Sequence, residues 1–303
     1  GLRMYDKSAP LVADVEVKHS YEEAVDLITE SLAPLGSEYV DVLRNGLVGR
    51  WVDRYENKGK RSGAFSAGSF TSDPYMLMNY QDDVLRHVFT LTHECGHSMH
   101  SYFSTLSNPF PQYGYTIFEA ETASTFNEQL LFEYMMKHAK SDDMKAYLVS
   151  HRVDDLIATL FRQTMFAEYE HRTHKMVEAG EPLTVESLRG VYRELLQKYF
   201  GEAADLQEID DLEGFRVPHF YRAFYVYQYS TGISASITLA KRVTEGGESE
   251  RQDYFKFLKS GGSRFPIDSL KLAGVDMSSP EPVETAIGEF NRLVAQFRSL
   301  TGK

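Results

Sequence analysis

The chain has 303 residues, 42% hydrophobic and 25% charged, an ordinary globular composition with enough length for a sizeable core in one large domain or two small ones. A formal net charge of −12 argues against a nucleic-acid partner, since neutralising phosphates needs a basic surface, and no run of 18 apolar residues offers a membrane partner. One cysteine, Cys95, rules out an intrachain disulfide and, with no apolar leader at the first residues, sets a reducing, cytoplasmic location as the expectation.

Helical signals dominate in chain order. "SYEEAVDLITESL" opens with Ser20 and Glu23 in capping-box spacing and continues apolar at Val25, Ile28 and Leu32. Residues 60–80 hold the strand-like material. "RSGAFSAGSF" suits a hairpin and "PYMLMNY" a short strand. Gly63 and Gly68 are not followed by a Gly-Lys-Ser/Thr pattern, so a small sheet beside the next helix is the reading rather than a phosphate loop. An amphipathic helix is expected from Asp83 to Phe103 and a further one from Ile117 to His138. The longest runs from Asp142 to Ala179 and stops at Gly180, two residues before a proline. Helices over 184–200, capped by Thr184, over 224–243 and over 283–300 complete the set. The fold class is therefore mostly α, with a small sheet or hairpin near residues 60–80, and the chain reads as one domain, 1–303.

The stretch "LTHECGHSMHSYF" sets His93, Glu94 and His97 in the pattern H-E-x-x-H. Helical neighbours at i and i+4 have Cβ atoms about 5–6 Å apart, so His93 and His97 can share one cation. Glu94 lies one residue round, placed to reach a metal-bound water without being a ligand. A catalytic zinc needs a third protein ligand and an open position. "IFEAETASTFNEQLL" offers Glu121, 24 residues after His97, on a segment whose apolar residues wrap so widely that a covered carboxylate there needs a partner. Glu119 is the competing ligand. Ser124 and Glu128 share the face of Glu121 and are placed to orient the histidine rings. Cys95 sits inside the motif but points away from the metal on a helix and reads as a small buried hydrophobe. His171 and His174, among Glu170, Arg172 and Lys175, read as an exposed face.

"HECGHSMHSYF", "IFEAETASTFNE", "FRQTMFAEYE" and "VPHFYRAFYVYQYSTG", together with "RSGAFSAGSFTSDPYMLMNY" and "LKSGGSRFPIDSLKLAGVDM", occur in that family's arrangement, and the chain resembles the oligoendopeptidase F branch of the thimet oligopeptidase family along its whole length. The resemblance implies a helical zincin-like catalytic lobe with one Zn²⁺ per chain held by His93, His97 and Glu121, and with Glu94 as general base and acid. It also implies that His219 and a tyrosine of the following segment donate hydrogen bonds to the oxyanion, with Tyr227 the first choice, then Tyr225, then Tyr221. Tyr221, Tyr225 and Tyr229 repeat at i+4, which a plain core-facing stripe would also do. The implied activity is hydrolysis of internal bonds in short, unstructured peptides. An exopeptidase releasing dipeptides, or a peptide-binding domain with little turnover, are the rivals. Family members carry an additional N-terminal lobe outside this chain, so an uncovered apolar face would drive self-association or pairing with that lobe. The strand "PYMLMNY" is expected to accept an extended peptide along its edge.

Overall fold

In a computed structural model of the chain, every residue is described except 7, 8, 13, 14, 16 and 303. The chain divides into two compact units, one made of residues 1–13 and 153–230, the other of residues 14–152 and 231–303.

The second unit is built on helices α1 (Tyr21–Ser31), α2 (Ser37–Val48), α3 (Leu85–Ser107) and α4 (Ile117–His138), with α9 (Glu248–Leu258), α10 (Pro266–Leu272) and α11 (Glu281–Thr301) from the later part of the chain. The expected capping box opens α1: the Ser20 hydroxyl accepts from the Glu23 amide, and the Glu23 carboxylate takes the Ser20 amide at 2.8 Å. Such a cap is worth about 1 kcal/mol. Helix α4 follows the expected bounds, and from Glu119 to Phe132 nearly all of its residues are buried. Its Phe126 ring stacks on Tyr254 of α9 at 4.1 Å, and its Asn127 exchanges hydrogen bonds of 2.9–3.1 Å with the hydroxyl of the fully buried Tyr39 of α2. Truncating Phe126 to alanine would cost about 3–5 kcal/mol.

A three-stranded sheet lies in the same unit: β1 (Val52–Asp53), β2 (Phe65–Ser69) and β3 (Ser72–Leu77), in the order β1-β3-β2. Strands β2 and β3 form the antiparallel hairpin, with Ser66 opposite Met76, and β1 adds a parallel pair through Val52 and Asp53. The sequence expectation that "PYMLMNY" offers a pairing edge is overturned here. β3 is the middle strand, and from Met76 within it and Met78 and Tyr80 beyond it the chain donates to Trp51, Asp53 and Arg54 at 2.6–2.8 Å. Among the described residues both outer strands keep a free edge, that of the two-residue β1 and the longer one of β2. At Gly68 that strand comes so near α3 that an added Cβ would stand 2.6 Å from the Ser101 side chain.

The first unit contains α6 (Arg162–Glu178) and α7 (Val185–Phe200), packed through Met165, Phe166, Tyr169, Tyr192, Leu195 and Leu196. Its boundaries with the other unit fall inside α5 (Asp142–Leu156 as a helix, crossing at 152/153) and α8 (Tyr227–Glu245, crossing at 230/231). The long helix expected over 142–179 is interrupted by a π turn at Ile157–Phe161. The Ser230 hydroxyl reaches the Leu160 carbonyl at 3.0 Å, a side chain inserted where the helical ladder opens. The helix ends as the sequence indicates: Gly180 takes φ +79° and Glu181 donates back to the Met176 carbonyl at 2.9 Å. His171 is exposed, but His174 is half-buried, donating Nδ1–H to the Glu170 carbonyl at 2.8 Å and lying 4.7 Å from the Phe224 ring. The exposed-face expectation therefore holds for the first histidine and fails for the second.

Candidate metal centre

Two helices must cross closely for residues 24 positions apart in sequence to share one ion. Gly96, between the two histidines of α3, permits it. A Cβ there would lie 2.5 Å from the Ala123 carbonyl oxygen and 2.5 Å from the Ser124 Cα, so the α3 backbone rests almost directly on α4. A glycine in a helix interior costs about 1 kcal/mol against alanine, and here it is spent on the approach. Gly232 of α8 does similar work from the other side, its missing Cβ leaving room 3.0 Å from the Glu121 Cβ.

The approach brings His93, His97 and Glu121 together, with one donor atom from each within 4.8 Å of the others. His93 Nε2 and His97 Nε2 are 3.1 Å apart, and Glu121 carboxylate oxygens lie 3.7 and 4.0 Å from them. Tetrahedral ligands about 2.0–2.1 Å from zinc stand about 3.4 Å from one another, so the three donors frame a site of that size after shifts of a few tenths of an ångström. His93 Nδ1 lies 2.5 Å from Glu128 Oε1, which holds the ring with Nε2 turned to the shared point. The two imidazoles keep 24% and 17% of their side-chain exposure.

Glu94 is buried beside this cluster. Burial pushes its carboxyl up to about 7, against the pull of His93, while the Ser66 amide of β2 is directed at it. Its Oε2 is buried without a hydrogen-bond partner within the protein, an orphan that a water on the cluster would satisfy. Burial works to lower the His93 pKa, but the Glu128 and Glu121 carboxylates more than reverse that and raise it to about 10. His97 is pushed well below its ordinary value, first by burial and then by the His93 charge. The raised His93 pKa favours its imidazolium, whose Nδ1–H donates to Glu128. Burial raises the Glu128 carboxyl, yet His93 in front and Arg152 behind hold it below its usual range.

Two neighbours expected near the ion do other work. Glu119 accepts from the Thr116 amide at 3.1 Å and its hydroxyl at 3.2 Å, closing the first turn of α4. Ser124 turns its hydroxyl onto the Glu121 carbonyl at 3.1 Å and packs beneath Gly96, touching neither histidine. Cys95 is fully buried and its thiol is pushed well above the ordinary value by burial. Sequence reasoning missed Gly96, Gly232 and the Ser66 amide. A glycine inside the H-E-x-x-H helix is the one signal that pointed to the first.

The other named residues belong to the first unit and gather within it. His219 and Tyr225 stack in parallel, with centroids 5.5 Å apart and an interplanar angle of 5°, and the Tyr229 hydroxyl donates to that of Tyr225 at 3.3 Å. Tyr227 begins α8 and is 41% exposed, while Tyr221 is 88% exposed, which removes it from any core stripe.

A mostly helical fold in which two histidines of one helix and a glutamate of the next converge, with a second glutamate buried beside them, defines the class of H-E-x-x-H helical metal-site proteins. A profile of Peptidase family M3 matches residues 14–289. The chain is 48% identical over 297 residues to an oligoendopeptidase F homologue of Borreliella burgdorferi, covering 98% of this chain and 50% of that protein. It is 47% identical to oligopeptidase PepF of Bacillus subtilis, covering 100% of this chain and 45% of the relative. A solved structure of oligoendopeptidase-F from Enterococcus faecium superposes with a TM-score of 0.76 at 34% identity, over 99% of this chain and 47% of the other. The chain belongs to Peptidase family M3. It spans about half the length of the curated relatives it matches.

Proposed function

We propose that the chain is the zinc-dependent catalytic portion of an oligoendopeptidase, acting on internal bonds of short, unstructured peptides. The observation that carries the reading is the convergence of His93 Nε2, His97 Nε2 and Glu121 beside a buried, unpartnered oxygen of Glu94. His93, His97 and Glu121 would hold one zinc ion, with Glu128 orienting His93. When bound there, zinc supplies a Lewis acid that polarises a carbonyl and acidifies water. Glu94, held by burial near neutrality, takes the proton of the attacking water at Oε2 and hands it to the leaving amine. His219 and Tyr227, with Tyr225 as the alternative, donate to the oxygen on which negative charge develops; this assignment rests on the family resemblance. The outer edge of β2, whose Ser66 amide faces Glu94, is the edge along which an extended peptide would pair. Main-chain pairing reads no side chains, so a broad choice of sequences follows.

The test is zinc content and turnover of a fluorogenic peptide blocked at both ends, which an endopeptidase cuts and a dipeptide-releasing enzyme does not. Glu94→Gln should keep its zinc and lose at least about 100-fold in kcat. Substantial remaining cleavage would remove Glu94 from the role of base.

A further inference from the structure

Glu170 sits on α6 in the first unit with 3% of its surface exposed, a costly place for a carboxylate. Its Oε1 accepts the backbone N–H of Phe224, and its Oε2 is buried with no hydrogen-bond partner in the protein. A core position that needed only packing would carry a leucine or methionine. Phe224 is in turn the one non-glycine residue with positive φ among the described residues, at +54°. It occupies the third place of a four-residue turn closed by the Tyr225 amide on the Arg222 carbonyl at 3.2 Å. Glycine or asparagine usually fills that place, because a side chain there crowds its own carbonyl. A strained residue persists when its surroundings over-determine it. Here the amide is held by Glu170 and the ring lies against His174, one turn further along the same helix.

The turn has a consequence for its neighbours. It separates His219, on the short 3₁₀ turn Pro218–Tyr221, from Tyr227, the first residue of α8. With the turn closed, the His219 and Tyr225 rings stack, and the Arg222 guanidinium covers Tyr225 at 4.8 Å. We infer that Glu170 is a positioning residue: by holding the Phe224 amide it fixes the strained turn that sets the directions of His219, Tyr225 and Tyr227. A phenylalanine, unlike glycine, allows the turn few other conformations once the amide is held, so the donors are presented in one arrangement. The catalytic consequence rests on the proposed role of those side chains as oxyanion donors.

The zinc-loaded enzyme carrying Glu170→Leu tests this, with Glu170→Gln as the variant that keeps the acceptor oxygen. The leucine variant should lose about 10- to 100-fold in kcat with KM little changed, since a donor shifted by about 1 Å forfeits that much. Its zinc content should be full and it should remain folded, the Phe224 amide left without its acceptor being set against the removal of a buried carboxylate. Hydrogen exchange at the Phe224 amide should accelerate, and Glu170→Gln should restore both kcat and protection. Unchanged exchange in the leucine variant, kcat within about 2-fold of the parent, or a glutamine variant as impaired as the leucine one would each overturn the inference. Parallel His219→Ala and Tyr227→Phe variants separate the two claims. If they leave kcat intact the donor assignment falls, while the exchange measurement still decides whether Glu170 holds the turn.

Discussion

One methyl group added at Gly96 should impair the metal site without altering a ligand. In Gly96→Ala the new Cβ would stand 2.5 Å from the Ser124 Cα, 2.5 Å from the Ala123 oxygen and 2.8 Å from the Ala123 carbonyl carbon. All three are backbone atoms of α4, so no rotamer change relieves the contact. Ordinary carbon contacts lie at about 3.5–4.0 Å, which requires α3 and α4 to separate by roughly 1 Å. Helix α4 carries Glu121, whose oxygens already lie 3.7 and 4.0 Å from the two imidazole nitrogens. Metal-ligand distances tolerate only about 0.2 Å, so a retreat of that size takes one ligand of three out of range. Zinc affinity should fall by at least about 100-fold, at or beyond what the loss of an orienting partner costs. Stability moves less: overpacking costs about 1–3 kcal/mol, and the gain in helix propensity returns about 1. Competition with a chromophoric chelator reads the affinity, and thermal unfolding with and without chelator reads the stability. Alanine at Gly190 and at Gly288, helical positions with nothing within 4 Å of the new Cβ, serves as the control and should stabilise slightly. Parent-like zinc affinity in Gly96→Ala would refute the claim that the helix crossing sets the site.

Gly232→Ala should act more gently, because its Cβ meets the Glu121 Cβ at 3.0 Å and the Glu121 carbonyl carbon at 3.4 Å. A loss of about 10-fold in zinc affinity is expected from a displacement of a few tenths of an ångström, and a chelator titration showing none would refute it. Zinc uptake should also release protons. The His93 pKa of about 10 lies above its unfolded value near 6.5, so its charged form stabilises the metal-free fold at neutral pH, and that contribution fades as pH rises through about 10. Zinc must displace that proton, and Glu94, near 7, adds part of another. Calorimetry at pH 7 in buffers of different ionisation enthalpy should read between about one and two protons released per zinc. Above the Glu94 pKa of about 7, affinity should climb about tenfold per pH unit up to the His93 pKa. Uptake with no proton release would show that the imidazolium reading is wrong.

The parts of the centre that were legible in the sequence are those governed by helical periodicity. The i, i+4 histidines, the capping box at Ser20 and the N-cap at Thr184 depend on neighbours within a turn or two, and the structure forms them where the pattern put them. Glu121 was legible because the apolar residues of α4 wrap widely enough to imply a helix covered on most sides, which left its carboxylate needing a partner. What local pattern could not supply is the direction of approach between elements. Ser124 and Glu128 share one face of α4 at i+3 and i+7 from Glu121. The second reaches His93, whereas the first lies under Gly96 and returns its hydroxyl to its own helix. The two-residue strand β1 has no periodicity to read, yet its parallel pairing with Met76 and Leu77 turns β3 from an edge into a middle strand. The π turn at Ile157–Phe161 likewise depends on Ser230, some 70 residues away.

Every group that would hold the ion and move the water's proton is contributed by residues 93–128, within the second unit, while His219, Tyr225 and Tyr227 lie in the first. Metal binding and oxyanion stabilisation should therefore separate under mutation. His219→Ala or Tyr227→Phe should leave zinc stoichiometry and affinity at parent values, because neither residue belongs to the His93, His97 and Glu121 group or is the Glu128 that orients His93. kcat should fall by about 100-fold, the scale of one lost oxyanion donor, with KM little moved. A variant at 219 or 227 that lost its zinc would contradict this division.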